Sequence, residues 1–446
     1  MRNGKTVKSV VKNNLCTGCG TCVALCPNEA IKLTINEKKG IYVPELNEEK
    51  CNNCGICYEI CPGHEVDFKQ LNLEIFGKEP EDILIGNYLN CYIGHSTDYD
   101  IRYNSASGGL VTQLLIFALE EGIIDGALVT RMKKDNPLEP EPFIARNREE
   151  IIEALKSKYC PVPANIALKE ILESEERERF AVVGLPCHIH GIRKAEQINK
   201  KLREKIVLHI GIFCSHVPNF LGTELLLERM NIKREEVIKL DYRGEGWPGS
   251  MKICLKDREL LILLPDYWRF VGMDFFTPNR CLMCSDGVCE LADISFGDAW
   301  LPELSDDRIG KSIIISRNEI GEQLLQAMKF KNKVEINKIG AKQVIQSQQN
   351  TLYFKKKNLN SRIKLLRGHI KYNNVLKSNI LDFFLALYPC LNQYVASKQF
   401  FRKHLRNIPL KVIQVYSALF ELIYSRKVKN IIKMVEKINN DKDCNN

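Results

Sequence analysis

The chain has 446 residues, room for two or three domains, and its 45% hydrophobic and 27% charged content argues against a disordered or fibrous protein. Its net charge of +9 is concentrated at one end: residues 355–446 carry 19 Lys and Arg against 5 Asp and Glu, and the mildly acidic remainder argues against nucleic-acid binding. Eighteen cysteines stand out, and the opening MRNGKTVKSVVKNNL has no apolar signal segment, so thiols that ligate metal or react in a cytoplasmic chain are expected rather than secreted disulfides.

CTGCGTCVALCP from Cys16 and CNNCGICYEICP from Cys51 repeat with a period of 35 residues. Each reads Cys-x2-Cys-x2-Cys-x3-Cys-Pro, the spacing of two-cluster bacterial ferredoxins, in which the fourth cysteine of each run ligates the other cluster. Three thiolates two residues apart wrap one cubane, while the fourth has already left on a helix. Cys16, Cys19, Cys22 and Cys61 are therefore expected on one [4Fe–4S] cluster, and Cys51, Cys54, Cys57 and Cys26 on the other. Zinc also takes Cys-x2-Cys pairs but needs only four ligands, and this run occurs twice. Gly18, Gly20 and Gly55 fit turns that aim N–H groups at sulfide. AIKLTI alternates like a strand, and LEIFGKEPED reads as the linker leaving a unit of residues 1–75. Such a unit carries single electrons, so any chemistry belongs downstream.

Residues 76–350 alternate helical and strand-like stretches. GGLVTQLLIFALEEG is helical and stops at Gly122 before the apolar run GALVT. RFAVVGLP and KIVLHIGIFC read as buried strands, followed by the helical HIHGIRKAEQINK and NFLGTELLLERM; ELADISFGDAW and KSIIIS are again strand-like. The expected fold class is α/β, with a ferredoxin-like 2[4Fe–4S] domain in front and a helical extension, residues 351–446, behind. NSASGG puts two glycines and small hydroxyl side chains before an apolar helix, which suits a phosphate or a flavin edge; a helix start capped by Ser107 is the plain alternative. No Gly-x-Gly-x-x-Gly follows a strand, and no P-loop or hydrolase motif appears, so a Rossmann-type NAD site is not supported.

The ordered set NSASGG, LKSKYCPVPAN, FAVVGLPCHIHGIRKA, IGIFCSH, YRGEGWPG and NRCLMCSDGVCELADISFGDAW, behind the ferredoxin start, resembles the coenzyme F420 hydrogenase/dehydrogenase beta-subunit family over roughly residues 1–340. That resemblance implies an iron–sulfur flavoprotein in which FAD passes electrons between a hydride carrier, often reduced coenzyme F420, and [4Fe–4S] clusters. It implies flavin contacts at Ser105, Ser107, Gly108, Gly109 and Thr112, with Lys158 near the flavin, where a cation would stabilise the anionic reduced ring. It also implies a third [4Fe–4S] cluster on Cys187, Cys214, Cys281 and Cys284. Cys289 is a rival ligand, read here as core packing. His188, His190 and His216 are either cluster neighbours or ordinary loop histidines, and Trp247 stacks on a cofactor or anchors its loop.

After residue 353 acidic residues nearly vanish and amphipathic stretches appear, including NILDFFLALYPCLNQYVAS and LKVIQVYSALFELIYSRKVKNIIKMVEKI. None has the run of about 18 apolar residues that a membrane span needs. The basic tail packs on the body, touches an anionic membrane surface at the inner face, or meets an acidic partner. The expectation is a cytoplasmic oxidoreductase with a hydride-carrier coenzyme and an electron-transfer protein or catalytic subunit as partners. The alternatives are a ferredoxin-dependent reductase in surface-polysaccharide biosynthesis and a non-catalytic electron-relay subunit of a hydrogenase or dehydrogenase complex.

Overall fold

Each cysteine run folds as a tight turn and a four-residue helix, Thr21–Ala24 in the first copy and Ile56–Glu59 in the second. Both helices begin on a left-handed glycine, Gly20 at φ 89° and Gly55 at φ 77°, a conformation that an L side chain resists. AIKLTI forms β1 (Ile31–Asn36), paired antiparallel with β2 (Ile41–Leu46) from Ile31↔Leu46 to Asn36↔Ile41. The second copy leads instead into the helix Phe68–Phe76, whose Asp67 caps it by accepting the Gln70 N–H. Four of the ten residues of the expected linker are thus helix: LEIF forms its last residues, and the chain turns at Gly77, φ 72°. Burial of Phe68 and Leu71 against the body holds it there. The computed structural model describes residues 5–409 together with 411–413, 415, 416, 418, 424, 428 and 431.

The body follows with β3 (Asn90–Ser96), β4 (Gly126–Met132), β5 (Pro140–Ala145), β6 (Phe180–Gly184) and β7 (Ile206–Ile212). A separate antiparallel sheet of β8 (Val237–Asp241), β9 (Ser250–Leu255) and β10 (Glu259–Leu263) interrupts it. The chain then returns as β11 (Ile294–Asp298), β12 (Ser312–Ser316) and β13 (Val334–Ile339). The large sheet runs β13-β3-β12-β11-β7-β6-β4-β5. Its four middle strands β11, β7, β6 and β4 are parallel, and the flanking pairs are antiparallel. The middle strands read as continuous apolar runs because helices cover both faces. Helices Leu110–Glu120 and Glu319–Phe330 pack on one face. Helix Pro186–Ile198 and the ferredoxin helices share the core on the other, with Ala24, Leu25 and Ile60 against Ile189 and Ile192. A Cβ on Gly191 would stand 2.4 Å from the Thr21 hydroxyl, so the ferredoxin unit rests directly on that helix.

The basic extension begins inside the molecule. Lys355, Lys356 and Arg362, in a π-turn (Tyr353–Lys357) and the helix Leu359–Leu365, are almost fully buried. Lys356 pairs with the buried Glu290. Arg362 donates to the carbonyls of Leu282 and Phe354 and to Asn358 Oδ1. NILDFFLALYPCLNQYVAS becomes the helix Ile380–Ser397, capped by Asn379 and with Pro389 inside it. The later amphipathic stretch lies mostly outside the described residues. Among the described residues no helix is long and apolar enough to cross a membrane.

Candidate functional site

The eight ferredoxin-type cysteines lie in two neighbouring groups, and among the described residues no three of them, with or without His, Asp or Glu, are close enough to hold a single metal ion. Cys16, Cys19, Cys22 and Cys61 act on one another electrostatically: burial, then neighbouring thiols, push Cys16 and Cys22 well above the usual thiol pKa. Cys61 is pushed up to about 11, again first by burial. Cys57 is raised by burial and by Cys54, Cys26 and Cys51, and all four line one small cavity. Backbone N–H groups donate to sulfur in both sets: Gly18 to Cys16 (3.3 Å), Gly63 to Cys61 (3.3 Å), Ala30 to Cys26 (3.2 Å) and Val7 to Cys57 (3.4 Å). Grouped thiols, buried or half-buried, suit a cationic iron core, and N–H donors suit its sulfurs.

Four further cysteines converge where the middle strands end, the usual place for sites in such sheets. Cys187 follows β6 at the start of its helix, Cys214 follows β7, and Cys281 and Cys284 flank the end of the short helix Asn279–Leu282. All four line one cavity of about 840 Å³, part of it open to solvent. Burial, then Cys19, Cys214, Cys281 and Cys284, push the Cys187 thiol well up. Cys19 belongs to the first ferredoxin set and Cys16 lines the same cavity, so the two groups of thiols adjoin. The hydroxyls of Thr17 and Ser285, both lining residues, are buried without a hydrogen-bond partner among the described residues. Orphaned hydroxyls, grouped thiols and a buried lysine, Lys355, fit an anionic iron–sulfur cluster. Cys289 lies elsewhere, fully buried in the core with its Cβ over Gly211.

Two residues that sequence reasoning missed join these groups. Arg280 is buried and donates to the carbonyls of Gly63 (2.7 Å), Pro62 (3.0 Å) and Met283 (2.9 Å) and to the Tyr372 hydroxyl (2.8 Å). One guanidinium thus ties the end of the second cysteine run to the Cys281–Cys284 loop. Asn165 donates to the Thr21 hydroxyl (2.8 Å) and the His188 carbonyl (2.9 Å), while its N–H donates to the Cys19 carbonyl (2.9 Å). Adjacency to Cys281 hinted at Arg280; nothing local marked Asn165.

The histidines divide. His188 accepts the Leu185 N–H at Nδ1 (3.2 Å) and faces the Val162 carbonyl through Nε2 (2.9 Å); burial lowers its pKa to about 4, so it is a neutral strut. His190 lines the cavity and bonds Asp286 Oδ2 at 2.8 Å. His216 stacks on Trp268, with ring centres 5.7 Å apart.

NSASGG lies at the same edge of the sheet, beside the start of β12. The Ser107 and Ser312 hydroxyls bond at 2.8 Å, and the Gly108 N–H donates to Ser312 Oγ (3.0 Å). The helix cap is therefore Gly109, φ 73°, not Ser107, whose side chain is turned to β12. A Cβ on Gly108 would meet the Gly94 carbonyl at 2.6 Å and the Ser312 nitrogen at 2.9 Å, so protein backbone fills the space beside this glycine. Ser105 donates to the Ile101 carbonyl (2.6 Å), and Thr112 is buried in the helix. Lys158 is buried with Nζ donating to the carbonyls of Ala154, Leu155 and Lys156 at 2.6–3.0 Å. Burial lowers its pKa to about 7, and its donors are taken up by the backbone. Opposite, Arg243 bridges Asp298 (2.6 Å) and the Tyr159 hydroxyl (3.2 Å), and Trp247 packs on Trp300. Arg243 Nη2 and Trp247 Nε1 are buried without a partner among the described residues, two donors that fit an acceptor-rich ligand.

Residues 91–169 match the family model for the N-terminal part, and residues 177–342 that for the C-terminal part, of the coenzyme F420 hydrogenase/dehydrogenase beta subunit; residues 15–64 match a 4Fe-4S dicluster domain. The coenzyme F420 hydrogenase subunit beta of Methanothermobacter thermautotrophicus is 32% identical over 250 residues, 55% of this chain and 82% of that one. The chain belongs to the coenzyme F420 hydrogenase/dehydrogenase beta-subunit family. Other members of this oxidoreductase family include an F(420)H(2) dehydrogenase subunit of Methanosarcina mazei, 26% identical over 71% of this chain and 83% of that one. The coenzyme F420-dependent sulfite reductase of Methanocaldococcus jannaschii is 28% identical over 75% of this chain and 49% of its own. Among solved structures, a chain of the F420-reducing [NiFe] hydrogenase complex from Methanosarcina barkeri shares the fold, with TM-score 0.52 and 24% identity over 66% of this chain and 99% of that one. The beta-subunit match ends at residue 342, before the buried lysines of the extension.

Proposed function

We propose that the chain is an iron–sulfur flavoprotein oxidoreductase that exchanges electrons with a hydride carrier, reduced coenzyme F420 being the carrier named for its relatives. When bound, FAD would convert a two-electron hydride exchange into single-electron steps, and the clusters would carry them. The carrying observation is the set of twelve cysteines in three groups of four, with Cys19 and Cys16 against the group of Cys187, Cys214, Cys281 and Cys284. Cys16, Cys19, Cys22 and Cys61 would hold one cluster, Cys51, Cys54, Cys57 and Cys26 the second, and the strand-end cysteines the third. The FAD would lie along the edge of β11 and β12, toward the orphaned Arg243 and Trp247 donors. There Ser105, Ser107, Gly108, Gly109 and Thr112 shape the wall, and Lys158 fixes the loop behind Tyr159. The relatives named as subunits favour a second form of this reading, an electron-relay subunit beside a catalytic partner.

The exposed apolar face of the helix Ile380–Ser397, flanked by basic residues, is proposed to rest on an anionic membrane surface.

Anaerobic purification tests the main reading. About 12 iron atoms per chain are expected, four per cubane, with FAD in the extract and reduction by one of reduced F420, NADH, NADPH or ferredoxin. Changing Cys281 and Cys284 to Ser should remove about four irons. An unchanged iron content in that variant would remove the third cluster from the scheme.

A further inference from the structure

Four cations of the extension are buried where the family match has already ended: Lys355, Lys356, Lys357 and Arg362. Three have protein partners. Lys356 is paired with Glu290 and the Asn374 carbonyl, Lys357 with the Lys377 carbonyl and Asp382, and Arg362 with two carbonyls and Asn358. Lys355 has none. It is 1% exposed and lines the cavity of Cys187, Cys214, Cys281 and Cys284, with no hydrogen-bond acceptor or carboxylate partner among the described residues. Its one near neighbour of interest is the adjacent Phe354 ring, 5.8 Å from Nζ. Asp286, also lining the cavity, is already bonded to His190 and to the N–H groups of Val288 and Glu290.

A buried ammonium that lines the cavity of four thiols and lacks a counter-ion among the described residues is costly unless the cavity holds an anion. We propose that Lys355 is a positioning residue for the third cluster: a fixed positive charge, supplied by the extension, that raises the reduction potential of whatever cluster Cys187, Cys214, Cys281 and Cys284 hold. The inference rests on the third cluster proposed above. Reduction adds one electron, and so one negative charge, to a group that is already anionic; a cation in a low-dielectric wall favours the reduced form more than the oxidised one. Lys355 gives up no proton and makes no bond to iron.

The test is an EPR-monitored redox titration of the full-length holoprotein, with iron content measured on the same samples. Lys355→Met should keep about 12 irons and shift the oxidised-to-reduced ratio of the third cluster about tenfold toward the oxidised form, about 59 mV for a one-electron couple. Lys355→Arg should restore the parental potential, and the other two clusters should not move. An unchanged third potential in Lys355→Met would overturn the proposal. Equal loss of about four irons from the Met and Arg variants would also overturn it, by assigning Lys355 to packing alone. If the parent shows no third signal and the Cys281→Ser, Cys284→Ser variant loses no iron, the third cluster itself fails, an outcome distinct from either.

Discussion

Gly108 shows how a residue chosen for one reason serves another. Its neighbours at 2.6 and 2.9 Å are backbone atoms of β3 and β12, so even Ala there should cost about 1–3 kcal/mol by overpacking. A lower urea midpoint with unchanged iron is expected. Unchanged stability would mean that these strands yield more readily than the contacts imply. A second residue-scale device is His209, buried on β7 between Glu196 Oε1 (2.7 Å) and Asp293 Oδ2 (3.0 Å), with Arg193 on Asp293 (2.8 Å). Burial and Arg193 lower the His209 pKa, but the two carboxylates prevail and raise it. Asp293 and Glu196 are shifted down: burial opposes this, and Arg193 and His209 overcome it. A raised histidine stabilises fully below its unfolded value and loses that contribution as pH climbs through the folded one; depressed carboxylates stabilise above their unfolded values and lose it on acidification. Stability should therefore peak between the carboxylate range and about pH 6.5. His209→Gln should cost about 3–5 kcal/mol near pH 6 and flatten the decline toward pH 9, read as urea midpoints across pH. An equally steep decline in the variant would place its origin elsewhere.

At the scale of elements, strands with strong apolar runs were legible: β4, β6, β7, β11 and β12 all fall on stretches picked out by composition, as do the helices at Leu110 and Pro186. The β8–β10 sheet was not, because its strands are only five or six residues long and their mutual pairing is what makes them strands. The same limit hid the start of the extension. Lys355–Lys357 look like solvated charge in the sequence, and their burial follows from Glu290, distant carbonyls and the cysteine cavity, all far away along the chain. Cysteine spacing, by contrast, is local information, so the 4Fe-4S dicluster domain could be read directly. The helix Ile380–Ser397 exposes Ile380, Phe384, Leu387, Leu391 and Tyr394 at helical spacing, beside exposed Lys398 and Lys403. Phe384→Asp with Leu391→Asp should weaken binding to anionic vesicles at least tenfold, each exposed apolar side chain being worth about 1.5–3 kcal/mol on burial, and raised salt should weaken the parent. Equal binding by parent and variant would exclude this helix as the contact.

At the scale of the molecule, Arg280 and the extension bind the ferredoxin unit, the sheet and the third cysteine group into one assembly. Arg280→Met leaves the Pro62, Gly63 and Met283 carbonyls without this donor, at about 1–3 kcal/mol for each buried group left unsatisfied. Slower electron transfer between the proposed third cluster and the first should accompany the loss, measured by freeze-quench EPR; an unchanged rate would show that the junction is held by apolar packing alone. Truncation separates the two parts of the extension. Ending the chain at Phe354 removes Lys355 and Arg362 and should cost the proposed third cluster, whereas ending it at Ser397 should leave the iron content of the full chain. The repeat of the cysteine runs has a further consequence. A tandem duplication begins with two interchangeable halves, yet here the first half leans on Gly191 and Asn165 while Asn52 and Asn53 of the second face outward. Both copies pack on the body, but the turn at Asn52 meets solvent, so the two halves tolerate change unequally. A library of substitutions should be purged around Thr21 and tolerated around Asn52, and that outward turn is the place left free to adapt to a new redox partner.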